Sequence, residues 1–97
     1  MSVSKVYPAP GREDEAQARF LKLVEFVRKA EPNTIYRLHR SNKEPAVFLG
    51  VGVYESQVAL EHHRNVVLPA LRKEYGPAPE GMFARPEETE LYRDISK

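Results

Sequence analysis

Two of the three histidines in this chain, His62 and His63, are adjacent in the segment VYESQVALEHHR. An imidazole titrates near neutral pH, so it can take a proton from a bound substrate. Consecutive helical residues point about 100° apart, and the two rings cannot share one environment. Helical spacing puts His63 on one side with Ala59, Val66, Val67, Ala70 and Leu71, and His62 nearer the rim. His63 is therefore the candidate general base. The same position also suits a core-edge imidazole hydrogen-bonded to backbone or water. No metal site is expected: adjacent histidines diverge, His39 sits on a strand without a carboxylate set, and the chain has no cysteine.

A second cluster lies just upstream, in AVFLGVGVY (residues 46–54). Gly50 and Gly52 offer no side chain to pack, and they share strand parity with Phe48 and Tyr54. The result is a gap between two aromatic residues on one face. It suits either a flat apolar ligand or a close-packed helix. Tyr36 and Tyr54 can supply phenolic donors to such a gap, although strand tyrosines are commonly core residues with a wet tip. No glycine-rich phosphate loop, nucleophile elbow or metal motif occurs.

These residues need elements to hold them. SVSKVY (residues 2–7) is β-prone and is ended by PAPG, whose prolines give no ladder donors. From Glu13 the apolar residues Ala16, Phe20, Leu23, Val24 and Val27 recur at helical steps, with Phe26 beside them. Acidic residues open this helix and Arg28 and Lys29 close it, which suits its dipole. Pro32 stops it by disfavouring helical geometry at Glu31. Residues 34–40 alternate as a strand, SNKEP makes a turn, and residues 46–54 follow as a strand apolar enough for burial on both faces. Ser56 is the expected N-cap of a second helix, and Pro69 predicts a kink or two abutting helices near Val67 and Leu68. The Pro/Gly-rich stretch from Tyr75 through Glu88 reads as loop, and residues 89–95 as a last strand.

The order βαββαβ is that of a ferredoxin-like α+β fold, an antiparallel four-stranded sheet with both helices on one face. The other face stays substantially apolar and calls for a second copy. The 97 residues fit one domain, 1–97. Fifteen basic against 14 acidic residues, scattered along the chain, supply no stripe for nucleic acid. No run is long enough for a membrane span and residues 1–20 lack a signal-peptide stretch, so a cytoplasmic location is expected.

The segments PGREDE, EPNTIYRLHRS, VYESQVALEHHR and YRDI together resemble the antibiotic biosynthesis monooxygenase (ABM) family over nearly the whole chain. The family's EPGT corresponds to Glu31-Pro32-Asn33-Thr34, with an asparagine that also tolerates left-handed geometry. Its frequent helix histidine matches His63. The resemblance implies a dimeric α+β barrel with a pocket between sheet and helices in each subunit. It further implies oxidation of a small aromatic phenol or quinol by molecular oxygen, with no metal or organic cofactor. The implied site is His63 as base, with Tyr36, Tyr54, Phe48, Gly50, Gly52 and Ser4 around the substrate. Many members carry a glutamate where Gly52 stands, so His63 is expected to lack that carboxylate here. The heme-degrading branch uses an Asn, a Trp and a His; Ser4, His63 and Lys73 stand at those places, which speaks against heme degradation. The alternatives are a non-catalytic ligand-binding or stress-related barrel, or an isomerase or cyclase on the same fold.

Overall fold

A computed structural model describes residues 1–96. Four strands, β1 (Ser2–Pro8), β2 (Ile35–Arg40), β3 (Phe48–Val53) and β4 (Phe83–Leu91), form an antiparallel sheet in the order β2-β3-β1-β4. Helix α1 (Glu13–Ala30) follows β1, and a second helical stretch, α2 (Gln57–His62) to α3 (Leu68–Tyr75), follows β3. The architecture is the expected α+β fold.

The register sorts the strand residues into rows across the sheet. On the helix-covered face, Leu38, Gly50, Ser4 and Thr89 form one row, and Tyr36, Gly52, Ser2 and Leu91 the next. A third row contains Arg40, Phe48 and Val6. Phe48 is fully buried there, clustered with Val6, Ala16 and Met82 and flanked by Phe20, Leu38 and Phe83. A separate cluster of Val27, Val67 and Leu71, with Leu23, Phe26 and Tyr36 against it, joins α1 to the second helical stretch.

Three elements differ from their sequence-based outlines. The last strand starts at Phe83 and stops at Leu91, so MFARPEE is largely strand and residues 92–95 are not. β4 is an edge strand paired only with β1, and Pro86 sits where the register between them shifts, so its missing N–H removes no ladder bond that a central strand would need. β3 is central, as expected, but its outward side is only half-covered and Val53 is exposed. Finally, the interruption expected near Val67 and Leu68 is present, with Pro69 in the first turn of α3, and it takes the form of a π turn. Residues His63–Val67 form a π-helical turn, in which the Leu68 N–H bonds to the His63 carbonyl, and α3 continues beyond it.

That turn resets which residues face inward. An extra residue in one turn shifts everything downstream by about 100°. His63, Val67 and Leu71 are buried, as helical spacing places them, whereas Val66 and Ala70, which uninterrupted spacing puts on the same side, are exposed. Among the described residues, no helix is long and apolar enough to cross a membrane.

Candidate active site

Glu31 and His63 meet in the interior. Pro32 turns the chain out of helical geometry at Glu31, which has φ −134° and ψ 70° as the residue capping the C-terminal end of α1. Its carboxylate Oε2 lies 2.5 Å from His63 Nδ1, and the two residues are only 7% and 5% exposed. On the other side, the Ser56 hydroxyl accepts the Ala59 N–H and starts α2, which carries His63 inward at its C-terminal end. His62, one residue earlier, is exposed.

The pairing decides how the imidazole can act. A carboxylate only accepts, so the ring carries its hydrogen on Nδ1 when neutral, and Nε2 is left as the basic nitrogen. Glu31 thus gives His63 a carboxylate partner from α1, although the one expected to be lost at Gly52 is indeed absent. The sequence held a signal for it: the residue before the helix-stopping Pro32 cannot continue the helix. What it touches was not legible, because Glu31 and His63 are 32 residues apart.

A cavity of about 500 Å³ lies between the sheet and the helices, and His63 is on its wall. Its floor includes the row Leu38, Gly50, Ser4 and Thr89, where the Ser4 and Thr89 hydroxyls share a 2.9 Å hydrogen bond. Tyr36 and Tyr54 flank the imidazole, with ring centroids 5.9 and 5.0 Å from it. Burial pushes the Tyr36 phenol up to about 12, helped by the nearby Tyr54, Glu87 and Glu31. Burial likewise raises Tyr54, against the neighbouring Ser2 hydroxyl, which favours ionisation without reaching hydrogen-bond geometry. Both phenols therefore stay protonated donors at neutral pH. The buried Tyr54 hydroxyl has no hydrogen-bond partner among the described residues, an unusual state for a polar atom away from water.

Of the residues singled out from the sequence, His63, Tyr36, Tyr54, Gly50 and Ser4 are brought together on the cavity wall. Phe48 and Gly52 are not. Phe48 is closed into the core, and the place beside Gly52 is already taken: a Cβ added there would lie 2.7 Å from the Tyr54 hydroxyl and 3.0 Å from its ring. The equivalent atom on Gly50 would meet nothing nearer than Ser4 at 3.9 Å. The gap foreseen between the aromatic residues is thus half cavity and half tyrosine. Among the described residues, no three His, Asp or Glu side chains gather as a metal site would require.

Two solved structures share this arrangement of elements. A Caulobacter crescentus CB15 protein described as an antibiotic biosynthesis monooxygenase superposes with a TM-score of 0.76 at 27% identity, covering 98% of this chain and 88% of its own. Rv0793 from Mycobacterium tuberculosis superposes with a TM-score of 0.70 at 18% identity over 99% of this chain and 94% of its own, a likeness of fold. No curated protein sequence matches. The profile of the antibiotic biosynthesis monooxygenase family matches residues 1–66, which run from β1 into the π turn and include both Glu31 and His63. The chain belongs to the antibiotic biosynthesis monooxygenase family.

Proposed function

We propose that the protein is a monooxygenase that uses oxygen directly on a phenolic or quinol substrate, with His63 as the base. The observation carrying this reading is the buried Glu31–His63 pair, with His63, Tyr36 and Tyr54 all on the wall of one cavity. A phenol or anthrone in the cavity gives its acidic proton to Nε2. Glu31 stabilises the imidazolium that forms, as an oriented carboxylate does beside any histidine base. Tyr54 and Tyr36 donate hydrogen bonds to the developing oxyanion, a contribution of about 3 kcal/mol for a well-placed donor in a dry site. The electron-rich anion then passes electrons to oxygen and forms a carbon–oxygen bond. The imidazolium returns its proton to the peroxide anion, and loss of water from the resulting hydroperoxide leaves one oxygen atom in the product as a carbonyl and the other in water.

The test is oxygen uptake with a dihydroxynaphthalene or an anthrone. His63→Ala should slow uptake by about a hundredfold or more, the range of a positioned base. Undiminished uptake in that variant would eliminate the base. Absence of uptake in the unaltered protein would favour a binding-only barrel, or an isomerase or cyclase.

The reading also includes a homodimer. Val3, Leu49, Val51, Val53 and Ile35 lie on the sheet face away from the helices, and Ile35 is 56% and Val53 38% exposed. A second copy packing sheet to sheet would remove this apolar surface from water. Sedimentation equilibrium should return twice the 11.1 kDa chain mass, and a value of one chain mass at tens of micromolar would contradict the dimer.

A further inference from the structure

The cavity is charged on one side in a way that the oxidation chemistry leaves unused. Leu60, Arg64, Leu68 and Arg72 all line it, at strict four-residue steps along the second helical stretch. In an uninterrupted α-helix twelve residues at this spacing drift about 120° around the axis. The additional residue in the π turn takes back about 100° of that drift, so both guanidinium-bearing positions stay on the cavity side.

Most other arginines are already engaged. Arg12 pairs with Glu15, and Arg40 with Asp14 and Glu44. Arg19 and Arg28 donate to the carbonyls of Gly76 and Tyr36, and Arg85 stacks on Tyr7. Among the described residues, the guanidinium groups of Arg64 and Arg72 have neither an ion pair nor a hydrogen bond. The remaining charged side chain on the cavity wall is Glu87 on β4, within reach of the Thr89 hydroxyl at 3.4 Å and paired with neither arginine. The cavity thus has a cationic helix side and an anionic edge-strand side, with apolar walls from Phe20, Leu23, Val24 and Leu38 between them.

We propose that the cavity selects a hydroxyaromatic carboxylate, with the carboxylate on Arg64 and Arg72 and the phenol at His63. The phenol end rests on the reading of His63 given above; the acid end stands on the arginines alone. A guanidinium presents parallel N–H donors that match a planar carboxylate, and two of them on the helix side of the cavity favour an acid over a neutral ring. Glu87, on β4, repels the same group and so disfavours a carboxylate placed beside that strand.

The experiment is a fluorescence titration of the full chain with 6-hydroxy-2-naphthoate and with 2-naphthol, at neutral pH and low salt. The acid should bind about tenfold more tightly than the naphthol, as two solvent-accessible charge contacts allow, with the gap narrowing as salt is raised. The double variant Arg64→Gln/Arg72→Gln should lose that preference while naphthol binding stays unchanged, and Arg37→Gln on the opposite sheet face should keep it. Equal affinities, an acid preference that survives the double variant, a parallel loss of both ligands, or no binding of the acid at millimolar concentration would each overturn the assignment. Because binding is read without oxygen, a protein that consumes no oxygen but retains the arginine-dependent preference would fail only the oxygenase reading.

Discussion

The layer between sheet and helices is solid at one end and hollow at the other, and the two ends are neighbouring rows of the same strands. Around Phe48 the space is filled: Phe20 meets the Phe48 ring edge-on at 6.2 Å and Phe83 at 5.8 Å, with Val6, Ala16 and Met82 closing the remainder. Two residues along β3, Gly50 stands in the corresponding place and the filling stops. The site is therefore a missing layer in a continuous core. Tyr36 at its edge packs against the second cluster of Val27, Val67 and Leu71, while the hollow end supplies the room.

The sharpest way to break this contrast is to hollow out the packed end. Phe48→Ala should lower unfolding stability by about 3–5 kcal/mol in denaturant titration, since the ring is fully buried and its neighbours belong to four elements, β1, α1, β2 and β4, that cannot all close the void. At the hollow end, Glu31→Gln keeps size and hydrogen bonding but removes the charge that supports the imidazolium. The oxygen-uptake rate should fall about a hundredfold, the low end of a base's contribution, and retention of the rate would mean that Glu31 is structural only. The mildest changes are a matched pair. Gly50→Ala places a methyl in ordinary contact with Ser4, and its melting temperature should stay the same or rise slightly. Gly52→Ala drives into the Tyr54 ring, so it should cost about 1 kcal/mol and move Tyr54 off the site. Similar thermal denaturation of the two variants would show that the two glycines are equivalent.

Much of the architecture was legible because periodicity is local. The alternation in residues 34–40, the helical recurrence from Ala16 to Val27 and the Ser56 cap each depend on residues within a few positions of one another, and each element is found where those patterns put it. The last strand was misplaced because its Pro86 and paired glutamates carry strand-breaking chemistry that matters only in a central strand, and edge position is a property of the assembled sheet.

At the site the division is the same. Sequence alone determined that His63 and not His62 turns inward, because a helix separates neighbours by about 100° and only one of the two can share the apolar side. It also determined that Glu31 leaves the helix, because Pro32 follows it. Only the tertiary structure decided that these two residues meet, that the Tyr54 ring folds over Gly52 and leaves Gly50 open, and that past a π turn Val66 and Ala70 lie outward. Each of those outcomes is a contact between elements distant in the chain or a shift of helical phase imposed by packing. Neither leaves a repeat in the amino-acid order from which it can be read.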